Sequence, residues 1–220
     1  VTPMTSMKHP SPLSRWKATL VADLARVADR QRWGLAFILM GWVHLATFVT
    51  CQVLYTLGDR RNIDYLALWA LELAGNLFVM RRVAGADWYR STPLAGVLCR
   101  VWATFLILSF NVASLNNFTG FSIEWFKPVW ASLSTFGFAV TAYLVSTLYF
   151  IPAVQMYFTG LGMLFLPQWA YLIYAVSWWA SFQGIGWSLE KRRARQEPIA
   201  FQPALHEFNP ADESLLANSR

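Results

Sequence analysis

The sequence predicts an all-α integral membrane protein: a bundle of about five transmembrane helices, with six as the alternative, preceded by an amphipathic helix at the interface. Three observations carry this. Hydrophobic residues make up 56% of the 220 and charged residues 14%, where an ordinary soluble domain carries roughly 25% charged. Between Lys127 and Glu190 there is no Asp, Glu, Lys, Arg or His. As helix that stretch would reach about 90 Å, enough to cross a hydrocarbon core at least twice. The third observation is where the bases sit. Lys8, Arg15, Lys17, Arg26, Arg30 and Arg32 precede the first apolar run, Arg81, Arg82 and Arg90 follow the second, and Lys191, Arg192, Arg193 and Arg195 follow the last. Bases so placed are juxtamembrane anchors that favour the cytoplasmic side and attract anionic lipid. The net charge of +6 therefore points to a bilayer and not to nucleic acid, and the expected home is a bacterial inner membrane.

Residues 1–12 are polar and carry Pro3, Pro10 and Pro12, which predicts an irregular tail. Over 13–32, Trp16, Leu20, Leu24 and Val27 recur at spacings of four, four and three, the pattern of a helix with one apolar face for lipid or a partner. The bundle is expected over 33–190. Its first span covers 33–55 and begins too late, with no small-residue cleavage site behind it, to be a signal peptide, so it reads as an uncleaved anchor. The second covers about 63–80 and the third about 94–115, followed by a loop over "NNFTGFSIEWFK" that is rich in turn residues and interfacial aromatics.

The uncharged stretch 128–189 is broken by Pro152, by "TGLG" at 159–162 and by Pro167. Turns at both prolines would leave a middle helix of only about 21 Å, too short to cross. Two long helices turning at "TGLG" are expected instead, giving five spans. Charge favours six, because only an even number puts the N-terminal bases and "EKRRAR" on one side. A re-entrant "IPAVQMYFTGLGMLFLP" is a third arrangement. The tail 191–220 is polar, proline-punctuated and without helical period, and alone it is expected to be disordered.

Function is carried by few residues. Cys51 and Cys99 lie in apolar runs without CxxC spacing, and the chain has no HExxH, GxSxG or Walker loop. One carboxylate, Glu72, sits in the apolar run 68–80. A charge at the bilayer centre costs at least about 2.5 kcal/mol, so it must be neutral, paired or facing a cavity. Counting from the helix ends puts Glu72 about 13 Å, Arg100 about 9 Å and His44 about 17 Å from the same face, and Asn76 lies one turn beyond Glu72. The expectation is a buried polar cluster of His44, Glu72, Asn76 and Arg100. Its bland counterpart is a snorkelling Arg100 and an interhelical hydrogen bond from Glu72.

His44 among aromatics is also a candidate ligand for a haem or chlorophyll-type pigment, although a histidine hydrogen-bonded inside the bundle is the favoured reading. Ser177, Ser181, Gly184 and Ser188, at spacings of four, three and four, form a small-residue stripe suited to close helix packing. Poverty of chemistry and abundance of packing features together predict a non-catalytic multi-pass subunit among other membrane subunits, with a cofactor- or pigment-containing complex as one candidate assembly. A small-solute or ion transporter with Glu72, Arg100, Asn76 and Asn111 on a polar path is the alternative.

Overall fold

A computed structural model of the chain describes residues 11–59, 61–119 and 123–200, and side chains except those of 116–125 and 196–200. Expectations for the tails over 1–10 and 201–220 lie outside the described residues. Seven α-helices account for the fold, with no strand among the described residues. They are α1 (Pro12–Arg30), α2 (Trp33–Thr56), α3 (Asn62–Val83), α4 (Pro93–Thr119), α5 (Ile123–Leu144), α6 (Phe150–Phe165) and α7 (Ala170–Ala200), with 3₁₀ turns at Trp88–Arg90, Thr147–Tyr149 and Pro167–Trp169. Four segments are long and apolar enough to cross a membrane: Trp33–Thr56, Asn62–Val83, Pro93–Leu115 and Thr147–Phe165.

Local chemistry sets the ends. Ser11 accepts from the Ser14 amide and Pro12 opens α1, both favoured at helix starts. Arg32 sits in the left-handed region at φ 53°, which lets α1 turn into α2 across two residues. Helices α2 and α7 run antiparallel in the most extensive contact of the molecule. A Cβ on Gly186 would lie 2.6 Å from Ile38 and 2.7 Å from the Gly34 carbonyl, and one on Gly34 would lie 2.8 Å from the Gly186 carbonyl. Only glycine permits that approach. Polar side chains fasten both ends of this pair. Glu190 accepts from the Leu35 amide (2.9 Å) at the start of α2. At the other end Gln52 donates to the Gln168 carbonyl (2.8 Å) and accepts from the Leu172 amide (3.3 Å). Each contact satisfies a backbone group that a helix end leaves unpaired.

The stretch 128–189 differs from the two-helix expectation: it contributes to three helices, and "TGLG" lies inside α6. Pro152 is the third residue of α6, where the missing amide costs little, so the break falls upstream, at Val145 and Ser146. Gly160 is used for packing, since a Cβ there would lie 3.3 Å from that of Ala131. At 16 residues α6 is about 24 Å long, and the preceding 3₁₀ turn brings the apolar segment to 19 residues. The expected loop after α4 is also largely helical, because α4 continues to Thr119 and α5 begins at Ile123. Likewise the polar tail starts late: α7 continues through "EKRRAR" to Ala200.

With α2 to α7 alternating in direction, the bases of α1, Arg81, Arg82, Arg90, Lys191, Arg192, Arg193 and Arg195 all gather at one end of the bundle. Helix α1 lies across that end. Leu24 and Ala28 enter a cluster with Trp33, Met80, Ala84, Leu94 and Ala95, while Arg192 binds Asp29 (2.8 Å) and the Ala25 carbonyl (3.2 Å). Trp16 remains 62% exposed, so the apolar face of α1 is divided between the bundle and its surroundings. The main core, towards the other end, is aromatic: Phe48, Trp130, Phe138, Tyr174, Trp178 and Phe182 pack around Met156.

Candidate functional site

The polar centre is built from α2 and α3. Helical spacing turns His44 inward with Phe48 and Cys51. On α3 the inward stripe is Tyr65, Trp69, Glu72 and Asn76, at spacings of four, three and four. His44 Nδ1 lies 2.5 Å from Glu72 Oε1, with side-chain exposures of 7% and 13%. The imidazole is stacked on Phe48 at 4.4 Å between centroids and flanked by Trp178 at 5.5 Å and Tyr174 at 5.6 Å. Tyr174 in turn hydrogen-bonds Ser134 (3.0 Å). A carboxylate on one side and aromatic faces on the others enclose the imidazole. The pair can share a proton and fix the register of α2 against α3.

The other cluster candidates separate. Asn76 lies one turn from Glu72, its Oδ1 buried without a hydrogen-bond partner among the described residues. Arg100 is exposed on the outward face of α4, and its side chain forms no hydrogen bond or ion pair among the described residues. Asn111, on the same outward face, does not line the polar interior either. His44 Nε2 is buried without a partner among the described residues, and the imidazole is enclosed by Phe48, Tyr174 and Trp178. A haem or chlorophyll macrocycle would have to displace those rings to reach it, so the residues present do not fit such a group.

The small-residue stripe of α7 is split. Ser177 accepts from Thr159 (2.7 Å) and Ser181 donates to Gln155 (3.4 Å), both on α6. Gly184 has nothing within 4 Å of a built Cβ, and Ser188 is exposed, bonding back to the Ile185 carbonyl.

Two features escape a reading of sequence alone. Helices α3 and α4, adjacent in the chain, scarcely touch. Between them lies a cleft of about 290 Å³ lined by Asn62, Leu66, Trp69, Phe110, Ala113 and Ser114, and Trp69 Nε1 and Ser109 Oγ are buried nearby without partners among the described residues. At the same end Lys127 is buried over the faces of Tyr55 and Tyr171, at 4.1 and 4.2 Å. Tyr65 stacks on Tyr171 and Tyr55 meets Tyr171 edge to face, and no local spacing in the sequence brings Lys127 to them. The chain matches no family model, no curated protein and no solved structure.

Proposed function

We propose that this chain is a non-catalytic, multi-pass subunit that packs within a larger membrane complex. Six spans are proposed, with the basic end on the cytoplasmic side of a bacterial inner membrane, because an even number of crossings brings all the juxtamembrane bases together. One observation carries the subunit reading. The apolar window of α4 is only 11% buried, yet its outward face carries Arg100, Thr104 and Asn111. Lipid solvates such a face poorly, whereas protein can satisfy it. The enclosed His44 and Glu72 pair supports the same reading, since it serves helix register without meeting a solute.

A small-solute or ion transporter is the second reading. The buried atoms of Trp69 and Ser109 beside the α3/α4 cleft and of Asn76 one turn beyond Glu72, unpartnered among the described residues, favour it. Extraction from the native membrane in mild detergent, with native mass and an absorption spectrum on one sample, tests the first reading. A particle many times the 25.1 kDa of the chain is expected. A colourless particle of one or two copies overturns it. Labelling with a hydrophobic carbodiimide then addresses the second reading, because a transport pathway requires Glu72 to react and an enclosed pair does not.

A further inference from the structure

The outward face of α4 is not a lipid face in disguise. Pro93, Val97, Arg100, Thr104, Ile107, Asn111 and Ser114 follow one another at spacings of four, three, four, three, four and three, and every one is exposed. That is a heptad seam, the 3.5-residue repeat by which one helix keeps contact with another along a left-handed crossing. Helix α3 supplies the internal comparison. Its exposed residues from Ile63 to Phe78 are Ile, Leu, Ala and Phe alone, as a helix against acyl chains requires.

Resting on the subunit reading above, we propose that the Arg100, Thr104, Ile107, Asn111 and Ser114 seam of α4 docks a transmembrane helix of a different protein, one that presents an Asp or Glu at the level of Arg100. The charge follows from the guanidinium. Arg100 lies seven residues into α4, about 10 Å, without a partner among the described residues, and in a low dielectric a carboxylate is the group that satisfies it in a two-pronged geometry. Thr104 donates its hydroxyl to the Arg100 carbonyl (2.9 Å), leaving its lone pairs to accept from the incoming helix. Asn111 brings both a donor and an acceptor two turns further on.

A second copy of this chain does not fit. Two copies inserted in the same orientation and related by a twofold axis would set Arg100 against Arg100, and like charges at one level repel strongly out of water. Nor do the described side chains offer a carboxylate at that level. Among the described side chains Asp23, Asp29, Asp87 and Glu190 lie at the α1 end, Asp59 and Asp64 lie at the opposite end, and Glu72 is turned to His44. A lipid phosphate would account for Arg100 alone, because the seam continues through Asn111 and Ser114, well beyond the reach of a headgroup on that side.

The test uses the full chain in nanodiscs of neutral lipid with two labelled single-span peptides of leucine and serine, identical except for one Glu or Gln at the depth of Arg100. Energy transfer should show the Glu peptide binding about tenfold more tightly than the Gln peptide. That preference should vanish in Arg100→Leu and survive in Arg100→Lys. Equal binding of the two peptides, or a preference unchanged in Arg100→Leu, overturns the proposal, as does recovery of tight binding to anionic vesicles by Arg100 alone with no peptide preference. The subunit reading fails separately: a chain that still migrates as a large native assembly while ignoring the Glu peptide keeps that reading and loses this one.

Discussion

Separating the two partners of the buried pair should cost unequal amounts. The Nδ1 to Oε1 distance of 2.5 Å and exposures of 7% and 13% place both groups out of water. In Glu72→Leu the remaining imidazole keeps its packing against Phe48, Tyr174 and Trp178 and loses its hydrogen-bond partner. The loss is then one hydrogen bond, about 1 kcal/mol. In His44→Phe the new ring occupies the stacked position over Phe48, but the carboxylate is left enclosed without a counterpart. Breaking a buried pair from that side costs about 3–5 kcal/mol. The double variant His44→Phe/Glu72→Leu removes both polar groups at similar volume and should be no worse than Glu72→Leu. The cycle therefore carries a coupling of about 3 kcal/mol, far above the average of about 0.6 kcal/mol for a hydrogen bond between membrane helices. Reversible unfolding in mixed micelles, followed by tryptophan fluorescence across the four proteins, reads it directly. A coupling near 0.6 kcal/mol, or a His44→Phe variant more stable than Glu72→Leu, would refute the claim that the pair is enclosed and mutually dependent.

The glycine crossing gives a second prediction. Gly186→Ala drives a methyl group into the Gly34 carbonyl and Ile38 and should cost about 1–3 kcal/mol, while Gly184→Ala, with open space around it, should be neutral or slightly stabilising; detergent melting curves compare them. Removing Arg192 from Asp29 should release α1 locally. With Arg192 39% exposed, Arg192→Ala is expected to cost about 1–2 kcal/mol, seen as faster hydrogen exchange in α1 with the melting of the remaining helices unchanged. The α2–α3 turn should weaken in acid. The Arg61 amide bonds Asp59 (2.9 Å), and that bond, helped by the Arg61 side chain, holds the Asp59 carboxyl below its usual range. A carboxyl lowered in the folded state stabilises above the ordinary carboxylate range and loses that contribution as pH falls through its folded value. Protection of the Arg61 amide should therefore decline on acidification and be unaffected by pH in Asp59→Asn.

The limits of α2, α3 and α4 were legible to within a few residues because charged or turn-forming segments bound them, as "GDRRN" bounds 33–55. The three-helix layout of 123–200 was not. Proline in a sequence suggests the point of a break, but Pro152 occupies the first turn of a helix that starts before it, so the real break at Val145 and Ser146 carries no conspicuous breaker. "TGLG" was read as a turn, but in a tightly packed helix glycine also marks close approach, as Gly160 against Ala131 shows. Only the distribution of bases pointed to the even number of helices after α1, because charge location is a property of the whole chain and does not depend on finding each break.

The site was half legible for a related reason. Residue counting fixes depth, and depth brought His44 and Glu72 to one level, where the structure pairs them. Depth says nothing of azimuth. Arg100 was grouped with Glu72 because both lie near the same face, yet Trp102, Phe105 and Ser109 of α4 turn inward, and at 100° per residue Arg100 lies on nearly the opposite side from Ser109. The aromatic residues of α4 therefore held the information that removes Arg100 from the cluster, since a helix turns its rings towards an aromatic core. The error moves the chemistry of this chain from its interior to its surface. An inward Arg100 would have made a closed polar core, whereas an outward one leaves α4 with a charge that has no partner among the described residues, and the proposed docking seam rests on that charge.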